Sequence, residues 1–434
     1  MHVLASFVFL QGQAKLATVP IKNENGKYVS GTLSYAQGAT MKIGKRTGIM
    51  LLAVVLLTGC GSFWNVLNTG GGGCTTNCTT LTSGVFYVLN SSPGQVEIVG
   101  SSISGGKLNP LAGSPYSVPS GPYAIAVAPN NNFLYVSTQS GIYLYTIGTG
   151  GELKLASATP VAADFSADTM QVDATNSWLV EASGTGYLYA IPIKPSDGTV
   201  TGAVQQVTLA GITAHQLAIS PDNTKIFVTL GGVGTAVIPF AAASADPLPA
   251  TISTAPIAVK EVGGSAVSVA VDPINRLLYI GETLATSGSS NTGGLRAFNY
   301  SSLSGVPTEL AGSPFASGGL TPVSILATSS GAYVYVANAT VSNSTTGNIS
   351  GFTVIASGTT YSLTALSSTA SAGTTPAGMA EDSTSAFLLL VNSGGGPDLE
   401  AYTFDTTTPG KLDSSLTSST GTDPVGARAI AAAP

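Results

Sequence analysis

Very few side chains in this sequence can carry acid–base chemistry. The 434 residues include only two histidines, and of these only His215 lies within a repeated part of the chain. His215 precedes the turn residue Pro221 by six positions, and the same offset in other copies of the repeat gives Tyr123, Asp168 and Arg428. An imidazole or a carboxylate can take a proton from water, and a guanidinium can polarise a carbonyl and stabilise the developing oxyanion. His215, Arg428 and Asp168 are therefore candidate catalytic residues, and Tyr123 is a candidate ligand-binding residue.

A second set of polar residues is expected in the loops after the predicted second strands, at Glu181, Glu282, Asn338 and Asn392. We expect Glu282 to assist catalysis and the other three to bind a ligand. A simpler interpretation competes with this one, because strand ends and loops that face water are polar whether or not they bind a ligand. The residues alone leave open whether this set catalyses a reaction or only binds.

Composition and the absence of known catalytic motifs exclude several classes of function. Charged residues make up 8% and hydrophobic ones 44%, with 53 glycines, which indicates a folded protein rich in strands and turns. A net charge of −6 with only 15 Lys and Arg provides no basic surface, so we expect no nucleic-acid partner. There is no P-loop, HExxH, Rossmann or GxSxG motif, and we expect no cofactor and no metal. We expect a monomer.

The elements that position these residues are repeated strands. Residues 121–145 read GPYAIAVAPNNNFLYVSTQSGIYLY, and related segments start at Asp168, His215, Val267, Val323 and Ala377. Repeats of roughly 45 to 55 residues with about four short strands are typical of a β-propeller. Residues 85–90 match a second strand without a first one, while 428–434 match a first strand without a second. The pattern predicts an all-β, seven-bladed propeller in which the C-terminal strand pairs with the N-terminal strands.

The segments YVLN (Tyr87–Asn90) and YVAN (Tyr335–Asn338) resemble the repeats of bacterial lactonase-like YVTN propellers. The resemblance covers about residues 85–434 and implies the seven-bladed fold, with either sugar-lactone hydrolysis or no catalysis. Propellers similar to 6-phosphogluconolactonase carry a Pro-His-x-His run and an Asp-Leu-Gly-x-Asp run. Here residues 212–215 keep only the second histidine, and 229–233 keep Leu-Gly but lack both aspartates. These departures favour a scaffold that binds a glycan or a protein, and the alternative is a hydrolase of a lactone.

The N-terminal region predicts export. Residues 41–59 hold a basic segment followed by an apolar run from Ile49 to Leu57, which is the layout of a secretory signal. Leu57–Cys60 resembles the lipobox of bacterial lipoproteins, which implies that Cys60 carries lipid and anchors the protein to a membrane of the cell envelope. The absence of Asp at position 61 favours the outer membrane by the same resemblance. Residues 1–40 are then predicted to be an upstream extension that comes from a mis-assigned start.

Residues 60–84 are rich in Gly, Thr and Asn, as expected of a flexible tether between the anchor and the propeller at 85–434. The two cysteines left in this tether, Cys74 and Cys78, predict a structural disulfide in an exported protein. Zinc is the weaker alternative, because no histidine lies near them and two thiolates seldom hold zinc.

Overall fold

The computed structural model describes residues 17–22, 28–33 and 84–433, except for gaps at 93–94, 105, 212, 275, 286–291, 301–305, 342–343, 414–415 and 418–425. Its regular elements are all β-strands, and the described part of the chain contains no helix that could cross a membrane. The chain divides into two units at Cys60. In the first unit, Ala17–Lys22 pairs antiparallel with Tyr28–Leu33. Cys60, Cys74 and Cys78 lie outside the described residues.

The second unit is built of seven antiparallel sheets, numbered here as blades 1 to 7 from residue 122 onward. The innermost strands of blades 1 to 7 are Pro122–Val127, Thr169–Val172, Leu217–Ile219, Ala266–Val271, Pro322–Ala327, Pro376–Glu381 and Ala427–Ala432. The second strands are, in the same order, Phe133–Thr138, Trp178–Ala182, Lys225–Thr229, Leu277–Glu282, Tyr333–Asn338, Phe387–Asn392 and Val85–Ser92.

The third strands are Gly141–Ile147, Tyr187–Pro192, Thr235–Pro239, Gly294–Asn299, Thr346–Ser357, Leu399–Thr403 and Gln95–Ser104. Outer strands follow in six blades: Leu153–Leu155, Gln205–Thr208, Thr308–Glu309 with Phe315–Ala316, Thr360–Ala365 with Ala370–Thr374, Leu416–Thr417, and Lys107–Pro110 with Tyr116–Ser117. Blade 3 has three strands among the described residues.

Tight turns connect the first and second strands of blades 1 to 6. Asn131, Asn176 and Asn223 occupy equivalent turn positions with φ of 57°, 56° and 52°. Asparagine tolerates this left-handed conformation better than most residues do. Each of these turns therefore reverses the chain directly into a buried second strand.

The predicted closure of the ring is confirmed. Ala427–Ala432 pairs antiparallel with Val85–Ser92, with Phe86 opposite Ala432 and Leu89 opposite Ala429. Each innermost strand also contacts the innermost strands of both neighbouring blades, so the ring is continuous. Closure leaves no open sheet edge at the two ends of the domain.

The hydrophobic core is divided into seven layers, one between each pair of adjacent blades. Tyrosines of the second strands also connect blades through their hydroxyl groups. Tyr87, Tyr135 and Tyr335 donate hydrogen bonds of 2.7, 2.8 and 2.6 Å to backbone carbonyls in the next blade. The acceptors belong to Gly151, Gly198 and Gly410, which all have positive φ. The Tyr of the Tyr-Val motif is thus a contact between blades.

Candidate functional site

The candidate residues gather on one face of the ring, at which the innermost strands begin and the second strands end; we call it the upper face. Tyr123 and Arg428 are the second residues of their innermost strands. Asp168 immediately precedes the innermost strand of blade 2, and His215 precedes that of blade 3 by two residues. The antiparallel pairing of Pro122 with Thr138 shows how strand starts and ends share this face.

Arg428 and Tyr123 form a pair on the upper face, although they come from opposite ends of the domain. Nε of Arg428 donates a 2.9 Å hydrogen bond to the Tyr123 carbonyl, and its Cζ lies 5.3 Å from the centre of the Tyr123 ring. Arg428 is exposed and Tyr123 is half-buried. The ring and the carbonyl of Tyr123 hold the guanidinium in place. Its other N–H groups remain available as donors, so this pair is suited to contact with a ligand.

His215 and Asp168 form a second polar group on the same face. The backbone N–H of His215 donates to the Thr229 carbonyl at 3.0 Å, which fixes the start of blade 3. Oδ2 of Asp168 accepts a 2.8 Å hydrogen bond from the Gly184 N–H. Burial lowers the pKa of the His215 imidazole, while the nearby Asp168 charge raises it less strongly. His215 is therefore neutral at physiological pH and can both donate and accept a hydrogen bond.

An open pocket of about 590 Å³ lies beside His215. Its lining combines glycine, small, aliphatic and hydroxyl residues with the imidazole: Ala210, Gly211, Thr213, His215, Leu230, Gly231, Gly232, Val233 and Ser265. Gly231 has φ of +60°, and a Cβ placed on it would lie 3.4 Å from Nε2 of His215 and 3.5 Å from Oγ of Ser265. The sequence pattern missed Ser265, because the offset that gives His215 in blade 3 gives Val267 in blade 4.

Glu181 lies inside the second strand of blade 2, not in the loop after it, and only 1% of its surface is exposed. Neither carboxylate oxygen has a hydrogen-bond partner. Burial raises the pKa of Glu181 to about 8, with a smaller contribution from the Asp168 charge. The buried carboxyl is thus largely protonated at neutral pH.

The remaining three predicted site residues are also buried at the ends of second strands. Oε1 of Glu282 accepts a 2.8 Å ion-paired hydrogen bond from Nη1 of Arg296, and its Oε2 accepts another from the Lys260 N–H. The amide of Asn338 donates to the Ser317 carbonyl, and that of Asn392 donates to the Pro397 carbonyl. These contacts fix the strand ends, and all three side chains are buried.

Neither a family model nor a curated protein matches this sequence. Solved structures do match. A protein of Bacteroides uniformis provisionally named 6-phosphogluconolactonase aligns with a TM-score of 0.62 and 15% identity, over 80% of this chain and 98% of the other. A similarly named protein of Bacteroides fragilis gives 0.61 and 15%, over 82% and 99%.

The periplasmic gluconolactonase of Pseudomonas aeruginosa aligns with a TM-score of 0.60 and 18% identity, over 81% of this chain and 100% of the other. Structural similarity at such low sequence identity establishes the fold. It leaves the activity and the substrate undetermined. Together with the seven closed blades, these alignments show that the chain has the lactonase-like seven-bladed β-propeller fold.

Proposed function

We propose that this protein is a lipid-anchored propeller of the cell envelope whose upper face binds a glycan. The observation that carries the proposal is the pairing of Arg428 with Tyr123 on the exposed rim. The guanidinium, held over the ring on the exposed rim, keeps N–H donors for the hydroxyl groups of a sugar.

The placement of the other candidate residues supports binding over hydrolysis. Lactone opening needs a base within hydrogen-bond distance of the attacking water and a polarising group within hydrogen-bond distance of the carbonyl oxygen of the same lactone. Arg428 lies over Tyr123 in blades 7 and 1, whereas His215 lies in blade 3. Glu282 is neutralised by Arg296 within the sheet. The groups that a hydrolase would use are therefore distributed around the rim.

Binding is tested with labelled protein on a printed glycan array, comparing the wild type with Arg428→Ala. We expect retention on a subset of glycans and a roughly tenfold weaker signal for the variant, the loss of about one charged hydrogen bond. Lys154→Ala is the control, since Lys154 is an exposed cation on the outer strand of blade 1. Equal signals for Arg428→Ala and wild type would contradict the proposed site, and capture of envelope proteins without glycans would indicate a protein ligand instead.

The anchoring part of the proposal depends on Cys60. One acyl chain gives only reversible membrane binding, so two or more are needed for stable anchoring. We expect cells fed a clickable fatty acid to label the wild type, and Cys60→Ala to lose the label and leave the membrane fraction. Cys78→Ala is the matched control, and labelling that persists in Cys60→Ala would refute the anchor.

A second candidate function is hydrolysis of a lactone, and one observation favours it. The neutral imidazole of His215 lies in an open pocket, which is the protonation state and position that a general base needs. In this alternative His215 acts as base, Arg428 polarises the carbonyl, and Asp168 or Glu282 assists.

A further inference from the structure

We propose that the outer edge of blade 5, the strand Thr360–Ala365, pairs antiparallel with the same strand of a second copy of this chain. The edge lies on the perimeter of the ring, so the pairing is independent of what the upper face binds. Under this proposal the monomer expected from the sequence persists only at low concentration.

The outer strand of blade 5 is long and open on one side. Thr360–Ala365 pairs only with the third strand, Thr346–Ser357, and these two strands are the longest of their kind in the described chain. Four of the six side chains of the outer strand are exposed, and Leu363 is buried. Ile355, which pairs with Ser362, is 46% exposed. Among the described residues, no hydrogen bond from another strand reaches the outer side of this edge.

The hairpin determines which backbone groups point outward. Ser357 and Thr360 flank a two-residue loop and pair with each other. Residues in that position exchange both hydrogen bonds, and the bonding direction then alternates along the strand. The Leu366 N–H follows the alternation, since it donates inward to the Gly351 carbonyl at 2.8 Å. The N–H and C=O groups that point outward therefore belong to the odd-numbered residues of the strand: Tyr361, Leu363 and Ala365.

Charged side chains commonly protect the edge strands of a sheet from such pairing. Lys107, Lys154 and Glu309 lie on outer strands of three other blades. Residues 310–380, which include all of blade 5, contain no Asp, Glu, Lys or Arg. The chain carries a net charge of −6, so two copies repel each other, and the repulsion is weakest where their uncharged blades meet.

The strand is complementary to itself in an antiparallel register centred on Leu363. In this register Leu363 faces its own counterpart, and Tyr361 faces Ala365 of the second copy, so every outward backbone group finds a partner. The exposed side chains of Ser362 and Thr364 then lie opposite each other across the twofold axis, as a favourable Ser–Thr pair. Because each copy has one such edge, pairing ends at a closed dimer.

The size of the edge predicts a weak dimer. Pairing of six residues per copy buries less than the roughly 1,000 Å² expected of a stable interface. Association is then set by local concentration, which is higher for molecules held on one membrane than for the same molecules in dilute solution.

Sedimentation velocity of the purified full-length protein, from micromolar to millimolar concentration, measures the pairing. We expect the wild type to shift from monomer to dimer as its concentration rises. Ser362→Lys/Thr364→Lys places like charges directly opposite each other in the predicted register and should weaken association roughly tenfold. Ser362→Lys/Thr364→Glu places opposite charges there and should associate at least as strongly as the wild type at low salt.

Gln206→Lys/Thr208→Lys is the matched control. It adds the same two charges, also two residues apart, at exposed positions on the outer strand of blade 2. It should associate as the wild type does, and thermal melting of all three variants confirms that each is folded.

A wild type that stays monomeric over the whole range, whether or not a foreign strand occupies the edge, would overturn the inference. Equal association of the wild type and Ser362→Lys/Thr364→Lys would also overturn it, because the dimer would then use another surface. An equal loss in the two variants at positions 362 and 364 would contradict the register centred on Leu363.

Discussion

Glu181 is an acidic side chain buried in an apolar environment. It is the fourth residue of its second strand, and the fourth residues of the other six are fully buried aliphatic side chains: Val88, Val136, Val228, Ile280, Val336 and Leu390. Leu179, two residues earlier on the same side of the strand, packs against blade 1. A carboxyl in this apolar layer without a partner is strongly disfavoured when ionised.

We predict that Glu181 makes stability fall with rising pH. Its pKa is about 8 in the fold against an ordinary 4.5, so the folded state holds the proton more tightly than the unfolded chain does. The stabilisation is complete below about pH 4.5, decreases as pH rises to about 8, and then levels off, for a total of at most about 5 kcal/mol.

Urea unfolding of wild type, Glu181→Leu and the control Glu97→Gln at pH 5 and pH 8.5 measures this effect. Glu181→Leu should be more stable than wild type at pH 8.5. Its free energy of unfolding should differ much less between the two pH values than that of the wild type, whereas the control Glu97→Gln should keep the wild-type difference. An unchanged difference in Glu181→Leu would mean that the carboxyl is ionised and solvated in the fold.

At the scale of the element, the hydroxyl contacts between blades explain the Tyr of the repeats. We predict that Tyr135→Phe destabilises the fold by about 1 to 3 kcal/mol, because it leaves the buried carbonyl of Gly198 without its donor. Tyr361→Phe is the control, on an outer strand of blade 5. The free energy of unfolding in urea is the measurement, and equal values for the two variants would show that the bond contributes nothing.

The strands and blades could be predicted from the sequence because each repeat contains a similar turn and a similar run of apolar residues. It predicted the site less completely. Counting residues from a turn finds how far along the chain a side chain lies, but not whether it points to the channel or into the layer between blades. Asn338 and Asn392 show this limit, because both are buried and their amides donate hydrogen bonds to backbone carbonyls. Ser265 lines the pocket from the residue before the innermost strand of blade 4, a position that the counted offset does not reach.

At the scale of the whole molecule, ring closure creates the site. Tyr123 and Arg428 are separated by 305 residues, and they meet because the last strand of the chain completes blade 7 beside blade 1. The upper face thus exists only in the closed ring. A folded scaffold of this kind presents pre-positioned side chains, which lowers the entropy lost on binding.

The most direct test of binding without catalysis is the rate of D-glucono-δ-lactone hydrolysis, followed by pH-stat with the purified protein. We predict a rate equal to that of buffer alone, for the wild type and for His215→Ala and Arg428→Ala alike. A rate above buffer that falls by roughly 10²- to 10⁴-fold in His215→Ala, the usual contribution of a positioned acid–base group, would contradict the account and make the protein a lactone hydrolase.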